Sequence, residues 1–155
     1  MSINQITIAQ ESICTPDAIT LLHALSCTLK SISGSTGEVS FDATEMDDPR
    51  ACFAVARDEN GIAIGCGAIR PLDTQTAELK RVYAHTKHAG IGKQVLRFLE
   101  RKAAELGYQR IILETRVVNV QAVEFYLRNG YAIIHNYGKY AKRAEAICFE
   151  KRLVL

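Results

Sequence analysis

Apolar and polar positions change rhythm along this chain, and the changes mark its elements. From Ile3 to Ala9 the two kinds alternate, Ile6 and Ile8 against Gln5 and Thr7, which is the period of a half-buried first strand. Thr15-Pro16-Asp17 then reads as an N-cap, a proline in the first helical position and an acid near the positive end of the helix dipole. The helix it starts runs to about Ile32, with Leu22, Leu25, Leu29 and Ile32 as its inward stripe and Gly34 to Gly37 as its stop. Phe41 to Pro49 is acidic and broken by proline, so it predicts a loop or one short helical turn. Ala51–Arg57 and Ile62–Arg70 predict a hairpin turned at Asp58-Glu59-Asn60-Gly61, where Asn-Gly accepts positive φ.

A fourth strand is predicted over Thr76–Ala84. The next helix shows Ile91, Val95, Leu99, Ala103 and Leu106 at spacings of three to four and closes at Gly107. Ile111-Ile112-Leu113 is an uninterrupted apolar run suited to a strand covered on both faces. Asn119 caps a last helix that ends at Asn129-Gly130, and Tyr131–His135 and Ala146–Lys151 complete the strands. The alternation predicts the α/β class, with a mixed sheet of about six to seven strands flanked by helices on both faces. Residues 1–155 are expected to form a single domain.

Composition narrows the partners. Hydrophobic residues at 48% and charged residues at 23% are ordinary for a globular chain, and a net charge of +2 gives little reason to expect nucleic acid. No apolar run is long enough to span a bilayer and the N-terminus lacks the pattern of a signal peptide, so no membrane partner and a cytoplasmic location are expected. Five cysteines without a C-x-x-C indicate neither a disulfide frame nor a zinc site. His85 and His88 read as a solvated basic loop, and no metal is expected.

The stretch AELKRVYAHTKHAGIGKQVLRFLE, Ala77 to Glu100, carries the chemistry. A strand feeds a helix N-terminus through a glycine-containing turn, so the unpaired first-turn N–H groups and the dipole behind them form a seat for phosphate. It is not a P-loop, because Lys87 stands where the first glycine belongs and Gln94 where Ser or Thr belongs. Nor is Gly65-Cys66-Gly67 a dinucleotide fingerprint, since Arg70 replaces the third glycine. A phosphate seat without a magnesium-binding hydroxyl or a ribose fingerprint suits coenzyme A.

At this point the chain resembles the GNAT superfamily of acetyl-CoA-dependent N-acetyltransferases. KHAGIG, Lys87 to Gly92, is similar to the family's pyrophosphate signature [QR]-x-x-G-x-[GA], with Lys in place of Gln or Arg. The likeness extends through GCGAIRPL, AELKRVYA, LGYQRIILET and AVEFYLRNGY to NYGKY, about the last ninety residues, although the stretch from Tyr83 to Gly90 is shorter than is usual. The resemblance implies the GNAT fold with its fourth and fifth strands splayed. The cosubstrate arm would lie between them against Val82, Tyr83 and Ala84, with the diphosphate on Lys87, His88, Ala89, Gly90, Ile91, Gly92 and Lys93. It further implies a primary amine as acceptor, on a small molecule or a protein, and a possible homodimer.

Acetyl transfer to an amine needs a base and benefits from an acid. An amine with a pKa near 10.4 is about 99.9% protonated at neutral pH, and exposing its lone pair costs roughly 4–5 kcal/mol. By resemblance, Glu78 is the candidate base; it reads equally as a strand carboxylate paired with Arg81 or Arg70. Tyr126 matches the tyrosine that approaches the coenzyme sulfur, and its plain alternative is a core tyrosine on a face with Val123 and Leu127. Asn119 caps its helix and in the resembled family also bonds the cosubstrate arm. Tyr137 and Tyr140 fall in NYGKY, which resembles a loop that in this family lies near the acceptor site. Cys66, in an apolar strand, reads as a core residue rather than an acyl carrier, so direct transfer in a ternary complex is expected. The alternative reading is a coenzyme A-binding sensor or interaction module with weak or no turnover.

Overall fold

Among the described residues three helices sit on the two faces of one sheet, and the sheet's own irregularities locate the site. The computed structural model describes residues 5–38, 41–85 and 90–153. Its strands are β1 (Thr7–Gln10), β2 (Cys52–Arg57), β3 (Ala63–Pro71), β4 (Thr76–Ala84), β5 (Arg110–Arg116), β6 (Ala132–Ile134) and β7 (Ala146–Arg152). Its helices are α1 (Pro16–Ser33), α2 (Ile91–Glu105) and α3 (Val120–Arg128), with 3-10 turns at Ala43–Asp47 and Gly138–Tyr140. The sheet order is β1-β2-β3-β4-β5-β7-β6, and every neighbouring pair is antiparallel except β4–β5.

The period-two pattern of β2 divides the core. Cys52, Ala54 and Ala56 face Val95, Leu96, Leu99 and Ala103 of α2, whereas Phe53 and Val55 face Ala18 and Leu21 of α1. α3 adds Tyr126 and Phe125 to the α2 side. The stripe of α1 differs from the expected one: Ala18, Leu21, Leu25 and Ser26 are buried, while Ile32 is 39% exposed. Adjacent leucines at 21 and 22 make two helical phases nearly equivalent on paper, and packing on β2 and β3 selects the one through Leu21.

Caps and turns match their residues. Thr15 Oγ1 accepts from Ala18 N at 3.1 Å and Gly34 takes φ +79° at the other end of α1. In the β2–β3 turn Asp58 accepts from Asn60 N and Ile62 N, and only Gly61, at φ +78°, adopts the left-handed conformation.

Gly65 and Gly67 prove to be packing glycines. A Cβ on Gly67 would stand 2.9 Å from Leu99 Cδ1 and 3.0 Å from Val95 Cγ1, and one on Gly65 would stand 2.8 Å from Ile91 Cγ2. Their bare backbone lets α2 lie close on β3. Gly67→Ala is therefore expected to lower stability by about 1–3 kcal/mol, a fall of several degrees in the melting temperature. An unchanged melt would remove this reason for the glycine.

Candidate functional site

The pairing of β4 with β5 stops early. Thr76, Ala77 and Glu78 pair with Arg110, Ile111 and Ile112, and beyond Glu78 the two strands part. On its other side β4 stays paired with β3 as far as Gly65 opposite Ala84, interrupted by a bulge where two residues of β4 oppose Gly67. Arg81 in that bulge has φ +57°, a conformation that costs a non-glycine residue about 1–3 kcal/mol. Its guanidinium compensates by donating to Leu22 O (3.1 Å), Ser26 Oγ (2.6 Å) and Thr36 O (3.0 Å).

The parting opens a cleft of about 180 Å³ whose walls include Val82 and Lys80 from β4, Glu114 and Arg116 from β5, Asn119 and Tyr126 from α3, Leu25 from α1, and Phe41, Tyr140 and Arg143 from the connections around it. Tyr126 is 8% exposed. Its ring packs edge-on against Phe125 and Tyr131, and its hydroxyl makes no hydrogen bond among the described residues. Burial pushes its phenol well above the ordinary 10. Asn119 combines two positions: Oδ1 accepts from Ala122 N at 3.2 Å as the cap of α3, and the residue lines the cleft.

Glu78 is 2% exposed and fully engaged. Arg70 Nη2 donates to Oε1 at 2.5 Å and Tyr137 Oη donates to Oε2 at 2.6 Å, while Arg70 also reaches Glu45. Of the two arginines that sequence offered it, Arg70 is the partner and Arg81 is not. Tyr140 lines the cleft, whereas Tyr137 is absent from its lining and holds Glu78. The acidic residues near the mouth have structural partners: Asp42 caps the first 3-10 turn through Thr44, and Asp48 accepts from Arg50 N.

Two charged residues escaped the sequence reading. Lys80, with a side chain 8% exposed, donates to Tyr140 Oη at 3.2 Å, and burial pulls its pKa down to about 8. Glu114 follows the point where β5 leaves β4, and its carboxylate forms no hydrogen bond among the described residues. Burial raises its pKa, against the opposing pull of Arg116 and Lys80. A period-two count does place Glu114 on the face opposite Leu113, but nothing in the sequence says that β4 has withdrawn from beside it.

The phosphate seat is partly described. α2 begins at Gly90, φ +88°, with no side-chain cap, unlike α1 and α3. Its first backbone bond is Gln94 N to Gly90 O, which leaves the N–H groups of Ile91, Gly92 and Lys93 without acceptors among the described residues. Ile91 is buried and Lys93 exposed. Lys87, His88 and Ala89, the remaining expected phosphate contacts, lie outside the described residues. Arg97 is committed to Glu100 at 2.7 Å and to Asn129, so it serves the α2–α3 contact. Cys66 is fully buried with its thiol pushed up to about 12, which removes the thiolate an acyl carrier needs.

Known proteins resemble this chain in sequence and in fold. The model of the acetyltransferase (GNAT) family matches residues 20–131. The chain belongs to the GNAT family. It is 29% identical over 152 residues to the IAA acetyltransferase of Azospirillum brasilense, covering 96% of this chain and 98% of that one. A solved Klebsiella pneumoniae structure described as an acyl-CoA N-acyltransferase superposes with a TM-score of 0.81 at 26% identity, covering 96% and 98% of the two chains. A GNAT acetyltransferase from Elizabethkingia anophelis, solved with acetyl-CoA bound, shares the fold with a TM-score of 0.70 at 20% identity over 96% of this chain and 98% of that one. Membership in the GNAT family makes this chain an acyltransferase, with acetyl-CoA as its cosubstrate. Among the described residues no helix is long and apolar enough to cross a membrane.

Lys80 gives a pH prediction. A lysine whose folded pKa of about 8 lies below the ordinary 10.5 adds stability above 10.5 that is lost as pH falls to 8, because there the unfolded chain binds the extra proton. Denaturation of wild type and Lys80→Met across this window should therefore show the variant gaining relative stability as pH falls from 10.5 to 8, and no further change below. A difference independent of pH would contradict the burial of that ammonium.

Proposed function

We propose that this protein is an N-acetyltransferase that passes an acetyl group from acetyl-CoA directly to a primary amine in a ternary complex. The observation that carries this reading is the cleft where β4 and β5 part, with Tyr126 and two carboxylates on its walls. The open edge of β4 from Val82 through Tyr83 to Ala84 offers backbone partners to an amide-bearing arm. The uncapped N–H groups of Ile91, Gly92 and Lys93 offer donors to a diphosphate, together with Gly90 at the turn and with Lys87, His88 and Ala89 from the sequence motif. Asn119 adds a side-chain amide on the opposite wall. The acetyltransferase solved with acetyl-CoA bound shares this fold.

Acetyl-CoA, when bound, supplies a thioester whose acetyl carbon is open to attack. The chain's own residues do the rest. The incoming ammonium must lose a proton, and Glu78 and Glu114 are the two carboxylates on the cleft wall. Glu78 can accept it only by giving up Arg70 or Tyr137. Glu114 has no such bond to break, and its raised pKa makes it a better base near neutrality than an ordinary carboxylate. We therefore assign the proton to Glu114, with Glu78 fixing Arg70, Tyr137 and the acceptor side of the cleft. The nitrogen bonds to the acetyl carbon as the carbon–sulfur bond breaks, its second proton passes to the departing thiolate to leave a neutral amide and a free thiol, and the Tyr126 hydroxyl donates a hydrogen bond to the sulfur as it leaves. Because burial raises its pKa, full proton transfer from Tyr126 costs more than from a free phenol, so the hydrogen bond is the larger part of its work.

The test is thiol release from acetyl-CoA over a panel of amines. Glu114→Gln and Tyr126→Phe should each lower kcat by about 100-fold, the low end for acid–base catalysis, with the melting temperature held. Glu114→Gln should also abolish an acid limb in the pH profile lying above the ordinary carboxylate range. Glu78→Gln should instead lose about 1–3 kcal/mol of stability, since it breaks bonds at a buried group. Full activity in Glu114→Gln with loss in a well-folded Glu78→Gln would return the base to Glu78. Acetyl-CoA binding without thiol release from any amine would favour the coenzyme-sensing alternative.

A further inference from the structure

The charge of the cleft indicates what kind of amine it accepts. Five cationic side chains, Lys80, Arg81, Arg116, Lys139 and Arg143, line it against the carboxylates of Glu78 and Glu114. Most have protein partners. Arg81 is held by Leu22, Ser26 and Thr36, Arg116 pairs with Glu145 at 3.0 Å, Lys80 donates to Tyr140, and Glu78 is matched by Arg70. Lys139 and Arg143 are different. Lys139 is the middle residue of the Gly138–Tyr140 turn and Arg143 follows it, both are exposed at the cleft, and neither forms an ion pair among the described residues.

The two line the cleft together with Tyr140 and Glu114. Lys139 Nζ lies 5.7 Å from the centroid of the Tyr140 ring, which Lys80 Nζ approaches at 5.8 Å, and its charge helps to lower the pKa of Lys80. Arg143 is near enough to Glu114 to oppose the rise in that carboxyl's pKa. A simple amine arrives almost wholly as an ammonium, and these uncommitted cations repel it. An acceptor that brings its own anion converts the repulsion into attraction, and the planar fork of Arg143 suits a carboxylate.

We propose that the acceptor is a small amine that also bears a carboxylate, held by Arg143 and Lys139 while its nitrogen faces Glu114. The proposal rests on the acetyl-transfer reading above and narrows its substrate class. The anchor acts on binding and leaves the bond-forming step to the residues already described.

Acceptors that differ by a carboxylate provide the test, with rates compared per unprotonated amine: alanine against alaninamide, and 4-aminobutyrate against butylamine, with acetyl-CoA and the full chain. The carboxylate member of each pair should show a kcat/KM at least about tenfold higher. In the double variant Arg143→Gln/Lys139→Gln that preference should shrink to within about twofold through a raised KM, while acetyl-CoA affinity by calorimetry stays at the wild-type value. Equal or better use of the members that lack a carboxylate, a preference that survives the double variant, or weakened acetyl-CoA binding in it would overturn the proposal. Should no acceptor turn over although acetyl-CoA binds, the same pairs are compared by thermal shift on the coenzyme A complex. Stabilisation by the carboxylate members alone, lost in the double variant, supports the anchor, and its absence overturns it. No acetyl-CoA binding in the wild type overturns the transfer reading together with the proposal.

Discussion

A strand edge left unpaired in the middle of a sheet is the constraint from which the rest of this molecule follows. Backbone N–H and C=O groups in a buried ladder need partners, and after Glu78 the β5 side of β4 supplies none. The bulge at Arg81 reinforces the separation, because an extra residue on one strand increases local twist and turns its following residues away. That geometry is held from behind by three hydrogen bonds from the Arg81 guanidinium to α1 and the segment after it. The open edge is thus stabilised by contacts remote from it, and it stays available to a ligand's amides.

Charge inside the cleft is organised by a connected set of side chains. Glu45, Arg70, Glu78 and Tyr137 link the 3-10 turn after α1, strands β3 and β4, and the connection between β6 and β7. Tyr140 and Lys80 form a second link between that connection and β4. Buried polar groups of this kind add little net stability, but removing one partner leaves the other exposed to a low-dielectric surrounding. Their effect is to fix two loops that share no sheet pairing, Ala43–Asp47 and Gly138–Tyr140, against β3 and β4.

Much of this was legible along the chain. The bounds of β4, the caps Thr15 and Asn119, the hairpin turn and the mixed sheet all come from local chemistry or from a two- or 3.6-residue period, which sequence reports directly. The bulge was not legible, since no glycine marks Arg81 and register is a property of two strands together. Lys80 and Glu114 were missed for a related reason. Each lies in a segment that reads as an ordinary strand, and its significance depends on a neighbour's departure. Tyr137 was placed near the acceptor by motif, yet its hydroxyl is spent on Glu78, a contact across 59 positions of chain that no local pattern encodes.

The packing glycines connect the seat for phosphate with the rest of the cleft. Without side chains at Gly65 and Gly67, α2 rests directly on β3, and this sets how far its uncapped first turn stands from the edge of β4. At that first turn a Cβ on Gly92 would meet the Phe125 ring at 3.4 Å, and Phe125 packs edge-on against Tyr126 with centroids 5.1 Å apart. Close-packed contacts transmit position because neither partner can yield without a void or a clash. The uncapped start of α2 and the Tyr126 side chain on the cleft wall are therefore set by one run of contacts, from β3 through α2 to α3. A shift of α2 on the sheet would displace both together, and this explains why the glycines stand under α2 rather than in the turn of a nucleotide fingerprint.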